Sequence, residues 1–114
     1  MRFARYAGKQ GISDNELREA VNQLEAGQAD ANLGGNVYKV RVARSGEGKS
    51  GAYRVIVLFR SGERTFYVYG FAKSERDNIS EKELRKYRKL AKDYFLMTVE
   101  QLEEMIKHSQ LIEL

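Results

Sequence analysis

Apolar residues recur along this chain with two different periods, and each change of period marks a new element. Three segments carry helical spacing, and each opens with the same start signal. Ser13-Asp-Asn-Glu16 reads as a capping box flanked by Ile12 and Leu17, the pair that forms a hydrophobic staple. Leu17, Ala20, Val21 and Leu24 then share one face, and Gly27 stands where a C-terminal cap belongs. Ser80-Glu-Lys-Glu83 repeats the device between Ile79 and Leu84, with Leu84, Tyr87, Ala91 and Tyr94 as the buried face. Thr98-Val-Glu-Gln101 does so a third time between Met97 and Leu102, and Val99, Leu102 and Ile106 make that short helix amphipathic.

Between the first two helices the period falls to that of strands. Val37 to Arg44 alternates, with Tyr38, Val40 and Val42 on one side and Lys39, Arg41 and Ala43 on the other. Tyr53 to Phe59 is nearly all apolar, as a central strand covered on both faces requires. Thr65 to Phe71 is aromatic and β-branched. Arg60-Ser-Gly-Glu63 is a compact hairpin turn, and Ser45 to Gly51 a longer glycine-rich loop. The pattern predicts an α+β domain: an N-terminal helix, a three-stranded antiparallel meander and two C-terminal helices. Leu111-Ile-Glu-Leu114 fits either a further short strand or a tail.

Composition sharpens this picture. At 114 residues and 42% hydrophobic content the chain suits one domain, residues 1–114, with a modest core. No cysteine and a single histidine leave neither a disulfide framework nor the usual zinc ligands, so no metal or other cofactor is expected. There is no signal-peptide pattern and no apolar run of membrane-spanning length, so a cytoplasmic protein without membrane contact is expected. The net charge of +4 tilts the chain toward anionic partners. Its distribution says more. Val37 to Arg60 holds Lys39, Arg41, Arg44, Lys49, Arg54 and Arg60 against the single acid Glu47. The second helix adds Lys82, Arg85, Lys86, Arg88, Lys89 and Lys92, a run that fits a solvated face or an RNA-tracking surface.

Three motifs bear on chemistry. Gly48-Lys49-Ser50 suggests a nucleotide-binding loop, but Ala43 stands where that loop needs its first glycine, and a strand rather than a helix follows. A flexible hairpin loop, or one whose N–H groups and Lys49 meet phosphate, remains. Arg54 interrupts an apolar strand, where a charge needs a partner or an anionic ligand. If Arg54 faces the side of Lys39 and Arg41, the three cations converge; otherwise it is an ordinary strand charge paired with Glu75 or Asp77. Lys73 and Glu75 follow the third strand, placed as phosphate binder and proton acceptor or as a salt-bridged helix entry.

Taken together, Tyr38-Lys-Val-Arg-Val-Ala-Arg44, Gly46-Glu-Gly-Lys-Ser-Gly51 with Tyr53-Arg54, and Phe66-Tyr-Val-Tyr-Gly-Phe-Ala-Lys-Ser-Glu-Arg-Asp-Asn-Ile79 resemble the RelE/HigB-like toxins of bacterial type II toxin–antitoxin systems, in the RelE/ParE superfamily. The resemblance runs from Phe3 to Leu114. It implies a RelE-like microbial RNase fold and a metal-independent, ribosome-dependent endoribonuclease that cuts mRNA and inhibits translation. It further implies three partners: the ribosome, mRNA and a cognate antitoxin, expected to be of helix-turn-helix type. By position, Arg41, Arg54, Lys73 and Glu75 take the catalytic roles, and Lys39, Arg44, Lys49 and Arg76 contact RNA. Ser74 replaces an arginine of RelE and Ser80 a tyrosine, which leaves proton transfer shared among Arg41, Lys49, Lys73 and Glu75 or assisted by ribosomal RNA. A ParE-like gyrase inhibitor and a non-catalytic RNA- or ribosome-binding domain are the alternatives on the same fold.

Overall fold

A computed structural model describes residues 3–6, 14–44, 48–60, 64–72, 78–108 and 111–113. Their elements are β1 (Phe3–Tyr6), α1 (Asp14–Glu25), β2 (Ala31–Asn32), β3 (Val37–Arg44), β4 (Gly48–Leu58), β5 (Thr65–Ala72), α2 (Glu81–Phe95), α3 (Val99–Lys107) and β6 (Leu111–Glu113). The expected meander β3–β4–β5 forms the centre of a six-stranded sheet of order β2-β3-β4-β5-β1-β6. The architecture is α+β, as the sequence pattern implies.

The meander is antiparallel, whereas β1 runs parallel to β5, with Phe3 beside Thr65, and β6 closes antiparallel on β1. The C-terminal segment is thus a strand rather than a tail. The glycine-rich loop is shorter than its composition suggests. Gly48, Lys49, Ser50 and Gly51 lie in β4, and Gly48 already pairs with Arg44 across a register shift in β3. A strand at this place is a further argument against a nucleotide loop, which must open a helix. The Arg60–Glu63 turn falls largely on residues 61–63, outside the described residues.

Each face of the sheet is covered by different helices, which explains the continuous apolar run of β4. On one face Val40, Val42, Val55, Val57 and Tyr67 pack against Ala20, Val21 and Leu24 of α1. On the other, Val37, Ile56, Leu58 and Phe66 pack against Tyr87, Ala91 and Tyr94 of α2 and Leu102 of α3. A bulge in β5 sets Ile56 opposite Tyr69 but Val57 opposite Tyr67, leaving Val68 as the extra residue. Val68 packs with the second cluster beside its neighbours in space, so no simple alternation survives in the sequence of this strand.

Local signals hold the helix ends. Ser80 and Thr98 each complete a reciprocal capping box, with Glu83 and Gln101 respectively. At the end of α1, Gly27 takes φ +73° and its N–H donates to the Leu24 carbonyl, while the Gln28 N–H donates to the Gln23 carbonyl at 2.8 Å. This is a Schellman motif, for which glycine at the left-handed position carries no Cβ penalty. The Ser13 cap lies outside the described residues. Helix α3 is amphipathic as expected, with Leu102 buried and Ile106 packed against the same core, while Val99 in its first turn is 42% exposed.

Burial pushes the Tyr67 phenol well above its usual range, with the charge of Arg18 opposing the shift. A raised folded-state value means that the neutral phenol stabilises the fold in full below the unfolded value of about 10. That contribution is lost as pH rises beyond it. Urea unfolding from pH 9 to 11 is therefore expected to show stability falling with pH, with a shallower fall in Tyr67→Phe; an unchanged slope would assign the fall to other groups.

Candidate functional site

The basic segment resolves into a defined cluster on the α2 side of the sheet. Directly paired residues of an antiparallel ladder project to the same face. Arg41 pairs with Arg54, and Lys39 with Ile56, so Lys39, Arg41 and Arg54 share the face that carries Val37, Ile56 and Leu58. Beyond Arg54 on β5 lies buried Phe71, whose ring sits 5.8 Å from that of Tyr69. Arg54 is therefore flanked by a cation on one side and an aromatic ring on the other. Arg41 is exposed, while the side chains of Lys39 and Arg54 retain only 15% and 13% of their accessible surface.

Like charges placed directly across a ladder destabilise it. The offsetting charge comes from Asp30, a residue that sequence reasoning missed. Its Oδ2 lies 3.2 Å from Arg54 Nε and 3.8 Å from Lys39 Nζ. Asp30 sits in the short link between the Schellman cap at Gln28 and the first ladder pair, Ala31 with Lys39. Both ends of that link are hydrogen-bonded, which anchors the backbone on either side of Asp30. A further tie comes from α1, where Gln23 Nε2 donates to the Arg41 carbonyl at 3.1 Å. The signal for Asp30 lay in Leu33-Gly-Gly-Asn-Val37: a tight turn there folds the preceding residues back along Lys39.

Arg54 Nη1 is buried and has no hydrogen-bond partner among the described residues. A buried donor in that state costs about 1–3 kcal/mol, and an anion is one of the groups that satisfies it. The cluster thus offers an enclosed guanidinium, a second one directly across the ladder and an ammonium, an arrangement suited to a phosphate and to charge developing on it.

Other expected site residues are placed only in part. Arg44 and Lys49 stand at the β3–β4 end of the same hairpin as strand positions. Lys73, Glu75 and Arg76, like Asp77, lie outside the described residues. His108 is set apart at the end of α3, where its Nε2 meets Glu104 Oε1 at 3.0 Å on an exposed surface. Along α2, Lys82, Arg85, Lys86, Lys89 and Lys92 are all exposed.

Arg88 instead points back to the sheet and donates from Nε and Nη2 to the Leu33 carbonyl. Gly35 makes room for it: with φ +61°, a Cβ there would stand 3.0 Å from Arg88 Cγ. Beside this contact Asn36, Arg60, Arg88, Lys92, Phe95 and Leu96 line a hollow of about 510 Å³. None of the residues that line this hollow belongs to the Asp30 cluster.

Among the described residues no helix is long and apolar enough to cross a membrane. A search of curated proteins finds no match. A family model described as the RelE toxin of the RelE/RelB toxin–antitoxin system matches residues 1–114. That match spans the helices, the meander and the cationic face alike, and the chain belongs to the RelE toxin family.

Proposed function

We propose that this toxin is an mRNA endoribonuclease acting on the ribosome, with the Arg41–Arg54 pair of the sheet as its phosphate-binding centre. Family membership makes it the toxin of a toxin–antitoxin system and implies an antitoxin partner. The observation that carries the finer reading is Arg54, enclosed to 13% exposure between Arg41 and Phe71, with a buried guanidinium nitrogen that has no partner among the described residues.

In this reading the ribose 2′-OH attacks the adjacent phosphorus and loses its proton. The new P–O2′ bond replaces the P–O5′ bond, giving a 2′,3′-cyclic phosphate and a 5′-hydroxyl that takes up a proton. Arg54 and Arg41 bear on the phosphorane, whose extra negative charge is where fixed cations contribute most. Lys39 holds the flanking backbone, joined by Arg44 and Lys49 from the hairpin end. Lys73 and Glu75 supply phosphate contact and proton transfer, and Arg76 a further RNA contact. The antitoxin is of helix-turn-helix type, and the site of action is the cytoplasm.

The test is expression of the toxin alone, followed by mapping of mRNA 5′ ends. New ends within translated regions, carrying 5′-hydroxyls, are expected. Transcripts left intact while growth stops would overturn the reading, and DNA damage in their place would assign the toxin to gyrase instead.

A further inference from the structure

Asp30 is a carboxylate inside the cation cluster, and its position is more than charge balance requires. Oδ2 meets Arg54 at Nε, 3.2 Å away, and Lys39 Nζ at 3.8 Å. A guanidinium presents two hydrogen-bonding edges: a side-on edge that includes Nε and an end-on edge formed by Nη1 and Nη2. Holding Nε fixes the rotation of the planar group and leaves the end-on edge for a ligand. Nη1, on that edge, is a buried donor without a partner among the described residues, as is Arg64 Nε.

The backbone on either side of Asp30 is anchored. The Schellman bond of Gln28 closes α1 two residues before Asp30, and the ladder pair of Ala31 with Lys39 begins one residue after it. Lys39 is thus both the ladder neighbour of Ala31 and the second cation on Oδ2.

We propose that Asp30 is a positioning residue that clamps Arg54 by its Nε edge and thereby aims the Nη edge at the scissile phosphate. The proposal rests on the phosphate-binding reading of Arg54. It makes Asp30 a group that orients Arg54 and does not itself touch the substrate. It also gives Asp30 an effect on substrate opposite in sign to that of the cations. Removing it takes a negative charge from the site, so RNA in its ground state binds as well as before or more tightly. Cleavage nevertheless falls, because the guanidinium is no longer held where charge develops.

Two substitutions separate the clamp from a merely structural role. Asp30→Asn keeps an oxygen that accepts from Nε and loses the charge; Asp30→Ala loses both. Three readouts are taken on the full chain. The first is hydrogen exchange at the Arg54 Nε–H, followed by NMR. The second is affinity for a single-stranded RNA whose scissile ribose is 2′-deoxy. The third is cleavage of a natural message in a translating extract.

In Asp30→Ala, fast exchange at Arg54 Nε–H, unweakened RNA affinity and at least tenfold slower cleavage are expected. Asp30→Asn is expected to recover slow exchange and cleavage within a few-fold of the parent chain. The clamp is refuted if Asp30→Ala cleaves at the parent rate, if its Nε–H stays protected, or if both variants lose RNA affinity in step with thermal stability. Should the parent chain cleave no message, the nuclease reading fails on that result alone. Exchange and RNA affinity then still decide whether Asp30 orients Arg54.

Discussion

Arg54→Ala is expected to reduce message cleavage by about 10²–10³-fold, the usual loss when one group facing developing charge is removed. The domain itself should survive. Arg54 occupies a strand position whose backbone pairs with Arg41 and Phe71 regardless of side chain. Its counterion is not stranded either, since Asp30 keeps Lys39 at 3.8 Å and is itself 35% exposed. Loss of activity with a retained cooperative unfolding transition is the predicted pairing. Arg54→Lys refines the test, because lysine restores a positive charge but not the planar fork. It should recover RNA affinity more fully than cleavage. Parent-level cleavage by a folded Arg54→Ala protein would remove Arg54 from the mechanism.

Phe66→Ala carries the largest expected effect on stability, a loss of about 3–5 kcal/mol. Phe66 is 1% exposed on the α2 side of β5, with its ring 5.0 Å from Tyr94 and 5.7 Å from Phe95. Truncation leaves a void between sheet and helix and removes two aromatic contacts, each worth about 0.5–1.5 kcal/mol beyond burial. Small domains have only about 5–15 kcal/mol in total, so a large share is lost. Urea denaturation should show a much lower midpoint. Leu96→Ala, at a residue 75% exposed, should change the unfolding free energy by no more than about 0.5 kcal/mol. Comparable losses at both positions would mean that α2 is not held by the Phe66 contact.

The features legible in the sequence were the local ones. A capping box is written within four residues, so Ser80 and Thr98 announced α2 and α3 directly. Alternation put Lys39 and Arg41 on one face, although only the register could add Arg54 to it. What escaped depends on distant partners. Four residues at Phe3–Tyr6 have no periodicity long enough to read, and they become a strand through β5 and β6. The bulge at Val68 hid the alternation of β5. Asp30 looked like one acid in the acid-rich stretch from Asp14 to Asp30, and its role emerged only once β2 folded back on β3.

The parallel pairing of β1 with β5 has a kinetic side. Arg44 and Gly48 close the central hairpin over four residues, whereas Phe3 must find Thr65 across about 60. Loop closure costs about 0.6 kcal/mol more for each doubling of length, so β1 is disfavoured by about 2 kcal/mol relative to the hairpin and docks late. Until it does, one edge of β5 is bare. That strand reads Thr-Phe-Tyr-Val-Tyr-Gly-Phe-Ala, without a charge or a proline, the composition most prone to pair with another copy of itself. The short first strand thus acts as a guard rail, deciding whether a half-folded chain completes its own sheet or joins a neighbour's.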